Sequence, residues 1–171
     1  MKGYIQVYTG DGKGKTTAAL GLALRAAGAN MFVFIGQFMK CGDYSEIKSL
    51  QQFFDFIRIE QFGRKRRVGQ GIEEDDRKYA QEGISRIRKI MHNEKYDLVI
   101  LDEINVALSY ELIDEEELID IIKKRPPGME VVLTGRDASP GILRLADLVT
   151  EMKIVKHYKN KGVTARVGIE K

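Results

Sequence analysis

The chain has 171 residues, about the length of one domain, and a chain of that size buries roughly 70% of its unfolded surface. Its apolar fraction of 43% beside 31% charged residues excludes a disordered or fibrous protein. With 28 Lys and Arg against 25 Asp and Glu the net charge of +3 gives no reason to expect nucleic acid, and the single cysteine, Cys41, with two histidines excludes an internal disulfide and a Cys/His zinc site.

In chain order, Tyr4 to Tyr8 alternates apolar and polar residues as a strand does. A glycine-rich turn follows, and then "KTTAALGLALRAAG", rich in Ala and Leu, predicts a helix that stops at Gly28. "MFVFIGQF" from Met31 reads as the next strand. A short helix near Ser45 to Gln52 and a strand near Phe56 to Phe62 come after it. The acidic cluster Glu73 to Asp76 suits a helix start, and that helix runs to about His92. "DLVIL" reads as a strand buried on both faces, followed by a helical region, a turn at "RPPG" and the buried strand "EVVLTG". Ser139 and Pro140 open a short helix through Ala146, and a last strand begins near Asp147. This alternation predicts an α/β fold: a mostly parallel sheet with helices on both faces, in one domain over residues 1–171. No stretch reaches the roughly 20 apolar residues needed to span a bilayer, and the N-terminus lacks the features of a signal peptide. The expectation is a cytoplasmic protein without membrane or nucleic-acid partners.

The turn after the first strand, "TGDGKGKTT", carries the chemistry. Its end, Gly14, Lys15 and Thr16, fits the phosphate-loop pattern G-x-x-x-x-G-K-[ST], but Thr9 stands where the first glycine belongs. Gly10, Gly12 and Gly14 let backbone N–H groups face one concavity at a helix N-terminus, Lys15 supplies a charge for phosphate oxygens, and Thr16 offers a hydroxyl to Mg²⁺. In "DLVILDEIN", Asp102 ends a buried strand and can reach a metal ion near Thr16. Glu103 has two equal readings on chemistry alone: a carboxylate that activates water, or a cap for the helix that starts at Ile104 or Asn105. Arg136, after "VVLTG", is placed to pair with phosphate or ribose. ATP or another nucleoside triphosphate is the ligand these motifs predict.

From "VYTGDGKGKTTAALGLALRAAG" through "DLVILDEIN" and "VVLTGR" to "ADLVTEMKIVKH" and "GVTARVGIE", the chain resembles the ATP:corrinoid adenosyltransferases that act on cob(I)alamin and cob(I)yrinic acid a,c-diamide. The resemblance covers nearly the whole chain, and the shortened loop is that family's own form of the motif. It implies a P-loop, RecA-like three-layer sandwich. It also implies transfer of the 5′-deoxyadenosyl group of ATP to a Co(I) corrinoid with release of triphosphate. The two weaker alternatives are a P-loop ATPase or kinase releasing ADP and a non-catalytic nucleotide or corrinoid module.

Carried over by resemblance, nucleotide contacts fall on Gly10, Asp11, Gly12, Lys13, Gly14, Lys15, Thr16, Thr17, Arg25 and Arg136. Lys15, Thr16 and Glu103 carry catalysis, and Thr16, Asp102 and Glu103 hold Mg²⁺ or Mn²⁺. On the corrinoid side the family's aromatic pair is reduced to Phe62, since the chain has no Trp. The resemblance further implies a homodimer and a flavin-type reductant protein as partner. The basic run Arg64 to Arg67 reads first as a solvated loop and second as a corrinoid contact or lid. His157 and Cys41 are assigned no role in catalysis.

Overall fold

The computed structural model describes residues 2–53, 55–65, 70–93 and 95–170. Strands β1 (Ile5–Thr9), β2 (Val33–Phe38), β3 (Ile57–Phe62), β4 (Leu98–Asp102), β5 (Glu130–Thr134) and β6 (Leu148–Glu151) form one sheet in the order β3-β2-β4-β5-β1-β6. Every pairing is parallel, so the last residues of all six strands share one edge. The helices are α1 (Lys15–Gly28), α2 (Ser45–Leu50), α3 (Glu74–Asn93), α4 (Ile104–Ser109), α5 (Glu115–Lys123) and α6 (Pro140–Leu145). The expected α/β sandwich of the P-loop type is thus present, with every strand parallel.

Alternate residues of the inner strands feed two apolar cores. Val33 and Ile35, Leu98 and Ile100, and Val132 pack with Ala19, Leu20, Ala23, Ala26 and Ala27 of α1. Phe34 and Phe38, Val99 and Leu101, and Val131 and Leu133 face α3, α4, α5 and α6. Helices on both faces explain why the inner strands are continuous apolar runs. The alanines of α1 let that helix approach the sheet closely. On the opposite face Gly83 does the same for α3, because a Cβ there would lie 2.7 Å from the Phe38 ring and 2.8 Å from that of Phe62.

The end of α1 falls where expected. Gly28 is its last helical residue, and the left-handed position falls on Asn30 (φ 58°). The amide of Asn30 donates to Ala27 O and that of Met31 to Ala26 O, the pair of bonds that closes a helix around a left-handed C′ residue. Asparagine tolerates that conformation better than most side chains, so Asn30 completes the stop that begins at Gly28. At α6 the expected cap is found: Ser139 Oγ accepts from Ile142 N at 3.1 Å. No helix among the described residues is long and apolar enough to cross a membrane.

The basic run is corrected in part. Arg64 is not a solvated charge: it pairs with Glu73 at 3.0 Å and with the buried Asp76 at 3.2 Å, while Asp76 also accepts from the Glu73 amide at 2.8 Å. Arg64 thus ties the end of β3 to the first turn of α3. Arg66 and Arg67 lie outside the described residues.

Candidate active site

At the shared strand edge Asp102 is fully buried and takes four hydrogen bonds on two oxygens. Oδ1 accepts from Thr16 Oγ1 at 2.9 Å and from Thr134 Oγ1 at 2.7 Å. Oδ2 accepts from Gln37 Nε2 at 3.1 Å and from Lys40 Nζ at 2.7 Å. The β4–β5 register sets Leu101 beside Leu133, which puts Thr134 next to Asp102. Gln37 is oriented in turn by Gln61 Nε2, donating to its Oε1 at 3.0 Å. A buried carboxylate with every lone-pair direction addressed is held in one orientation.

The phosphate loop is shaped as much by packing as by ligand geometry. Gly10 (φ 90°) would bring a Cβ to 2.6 Å from Met152 O, and so would Gly12. The Gly12 amide donates to Met152 O at 2.6 Å, so this amide is already committed to the segment that follows β6. Lys15 is only 8% exposed; its ammonium donates to Gly12 O at 2.8 Å and to Gly10 O, folding back over its own loop. Burial pulls Lys15 below the ordinary lysine value, against the pull of the Glu103 carboxylate.

Glu103 sits at the N-cap position of α4 without capping it: no side-chain cap bond is made, and its backbone is left-handed (φ 59°). Its amide donates to Thr134 Oγ1 at 3.0 Å. A non-glycine residue held at positive φ costs energy that the surrounding structure must offset, and such positions cluster at functional sites. Burial, then the Asp102 charge, pushes the Glu103 carboxyl above the usual carboxylate range, with Lys40, Lys15 and Arg136 opposing.

These groups border a cavity of about 790 Å³. Asp11, Gly12, Lys13, Gly14, Lys15, Thr16 and Thr17 line it, with Glu103 and Arg136 on the far rim. Gly10 and Asp102 do not line it, although Asp102 is bonded to Thr16, which does. Arg25 is not brought there: it is exposed, ~15 Å further along α1 than Lys15 at the helical rise of ~1.5 Å per residue. Phe62 is not brought there either. Its ring packs on Phe38 at a centroid distance of 5.3 Å and joins the α3-side core. Arg136 Nε lies 4.0 Å from Asp11 Oδ1, and Glu103 and Arg136 also border a second cavity of about 550 Å³ with Tyr110 and Asp137.

Several contributors were missed in the sequence. Lys40, two residues past β2, lines the cavity and completes the Asp102 set. Burial alone would lower its ammonium, but the Asp102 carboxylate outweighs that and raises it above the ordinary lysine value. The C-terminal segment forms another wall: Lys13 Nζ donates to Tyr158 OH, Ile169 O and Glu170 Oε1, each at 3.1 Å. Tyr158 OH and Arg166 also bond Glu170, whose carboxyl is held well below the usual range, with Arg166 the largest cause. His157, which also borders the cavity, packs edge-on to Tyr158 at 5.0 Å. Gln37 had a signal, a polar residue within a strand otherwise buried and apolar; the tail contacts, more than 140 residues apart in sequence, had none.

Among the described residues no group of three or more His, Cys, Asp or Glu gathers as a cage for a metal ion. The hard oxygens of Thr16 and Asp102 do fit Mg²⁺, which takes few protein ligands and completes its shell with water and substrate phosphates. Lys40 Nζ lies against both, 2.7 Å from Asp102 Oδ2 and 3.3 Å from Thr16 Oγ1.

A parallel sheet, a glycine-rich loop opening α1 with Lys-Thr, and an acidic strand end bonded to that Thr define a P-loop nucleotide-binding protein. Comparison with known proteins narrows the class. The family described as ATP:corrinoid adenosyltransferase BtuR/CobO/CobP matches residues 1–170. A corrinoid adenosyltransferase of Sinorhizobium sp is 36% identical over 176 residues, spanning 99% of this chain and 80% of that protein. Those of Escherichia coli K12 and Salmonella typhimurium LT2 are each 34% identical, spanning 99% of this chain and 86% of theirs. The chain belongs to the ATP:corrinoid adenosyltransferase family.

Proposed function

We infer that this protein transfers the 5′-deoxyadenosyl group of ATP to the Co(I) centre of a corrinoid, cobalamin or cob(I)yrinic acid a,c-diamide, and releases triphosphate. The observation that carries the reading is the assembly of Lys15, Thr16, Glu103 and Arg136 around one cavity in a chain of this family. In the reaction the cobalt electron pair forms the Co–C5′ bond while the C5′–O bond breaks and its electrons leave on triphosphate. No proton needs to be removed. The side chains therefore act by charge and position rather than as bases, which also gives Glu103 a role other than water activation.

Lys13 and Lys15 neutralise the departing chain of phosphates, together with the loop amides not already engaged. For this Lys15 exchanges the Gly10 and Gly12 carbonyls for phosphate oxygens. Thr16, Asp102 and Glu103 would hold Mg²⁺ or Mn²⁺, which lowers the charge on the leaving group. Arg136, shared between the two cavities, is placed to join phosphate to sugar contacts. Arg25 and Phe62, outside the cavity lining here, contribute to nucleotide or corrinoid only if the chain rearranges on binding.

We assign the activity to a single domain, residues 1–171, working in the cytoplasm with a flavin-type protein as reductant. A homodimer is supported by edge strand β6, where Leu148 and Val149 point to opposite faces yet are 45% and 47% exposed. Anaerobic mixing of protein, ATP, Mg²⁺ and chemically reduced cobalamin tests the reading. A light-sensitive adenosylcorrinoid spectrum is expected, and an unchanged Co(I) spectrum counts against it.

A further inference from the structure

In the Asp102 cluster the position between Thr16 Oγ1 and Asp102 Oδ2, where a P-loop site receives its divalent ion, is taken by an ammonium group. Lys40 is a built part of the cluster. Its side chain is 17% exposed, its ion pair is with a carboxylate of no exposure, and the other Asp102 donors are the neutral groups of Thr16, Thr134 and Gln37. A buried carboxylate without a cation is costly, and a single positive charge at 2.7 Å offsets that cost. Two cations cannot share the position, because like charges a few ångströms apart in a poorly solvated site repel strongly.

We propose that Lys40 is the resident cation of the Thr16–Asp102 position and competes with the divalent ion for it. In the nucleotide-free protein the ammonium keeps Asp102 neutralised and Thr16 oriented. For a divalent ion to enter, Lys40 must leave the pair. Neighbours are at hand to receive it: the Tyr44 ring, whose centroid is 5.9 Å from the ammonium, and Glu46, both bordering the same cavity. The phosphates of an incoming nucleotide favour the exchange twice, as ligands for the ion and as counter-charge for the displaced ammonium. Metal binding is thereby coupled to nucleotide binding, and the empty site rejects stray divalent ions. The inference rests on reading Thr16 and Asp102 as the metal position, but not on the identity of the second substrate.

The test uses Mn²⁺ without nucleotide or corrinoid, counting free ion by its electron paramagnetic resonance signal. Wild type, Lys40→Met and Lys40→Arg are titrated in parallel, with circular dichroism to establish that each is folded. Lys40→Met is expected to bind Mn²⁺ about tenfold more tightly than wild type, or better, while Lys40→Arg, which keeps the charge, stays as weak as wild type. Adding Thr16→Val to Lys40→Met should remove the gain and so place it at this position. If Lys40→Met does not fold, Lys40→Gln, which keeps a donor for Asp102, carries the same expectation. A charge-free variant that binds Mn²⁺ no better than wild type overturns the proposal, as does a gain that survives Thr16→Val. Because the titration contains neither ATP nor corrinoid, its outcome stands apart from that of the transfer assay.

Discussion

Asp102, at the end of β4, takes bonds from α1, β2, β5 and the segment after β2, whereas across the same cavity Lys15 and Lys13 of the phosphate loop are held by loop carbonyls and by the C-terminal segment. In the first region the carboxylate itself is fully buried, and its donors Thr16, Gln37 and Thr134 sit on a helix and two strands whose places the sheet dictates, with Lys40 added from the segment after β2. The second is open to solvent on the Lys13 side, and its charges rest on acceptors that phosphate oxygens can replace. One edge therefore combines a preorganised anchor with a loop whose cations are available for exchange. Substitutions at the anchor should register first in stability, and substitutions in the loop first in turnover.

Lys15→Ala should separate the two most sharply. The rate of adenosyl transfer is expected to fall by about a hundred- to a thousandfold, the usual cost of removing one charge-stabilising donor, while the folded structure is kept. Steady-state kinetics beside a thermal melt checks both halves; a variant that unfolds without losing specific activity would merge the two regions. Next in size, Asp102→Asn leaves Lys40 buried beside a neutral amide and should lower the unfolding free energy by about 3 kcal/mol, read from the urea midpoint.

Glu103→Gln tests the one strained member of the anchor. The carboxyl is raised in the folded protein, so between the unfolded and folded pKa the native state binds more protons, and the wild type loses stability as pH rises through that interval. At neutral pH the glutamine variant should therefore be more stable than wild type, an advantage that shrinks as pH falls below the folded pKa. Its transfer rate should drop all the same, since the group lost faces the cavity. Denaturant melts at several pH values decide the sign. The smallest effect belongs to Glu170→Ala: only a small fall in the urea midpoint is expected, since its bonds from Lys13, Tyr158 and Arg166 lie at the open C-terminal segment, and ATP affinity should rise slightly as a competing carboxylate is removed. Weaker ATP binding would make the tail part of the nucleotide site rather than its substitute.

The division between anchor and loop also marks what could be read in the sequence. Strands and helices announced themselves by period, and their limits agree within a residue or two at β1, β3, β4 and α3. Thr16 and Asp102 were legible because the loop motif and a strand-ending acid each imply the other's position. The stop of α1 at Gly28 was legible, while the left-handed turn just beyond it falls on Asn30, a residue that tolerates that conformation. The pairing of Arg64 is hidden in the sequence, because its partner Asp76 lies a loop and a helix turn away. Lys40 and Thr134 gave little warning, since a Lys after a strand and a Thr ending one are ordinary until the register sets them around Asp102. The tail was invisible: only the fold brings Tyr158 and Glu170 to Lys13.

The central claim is that this edge cleaves ATP at the ribose carbon rather than between phosphates. Phosphorus NMR of a single anaerobic turnover with ATP, Mg²⁺ and reduced cobalamin reads it directly. The account predicts triphosphate appearing in step with adenosylcorrinoid. ADP and inorganic phosphate as the products, with the corrinoid unalkylated, would contradict it.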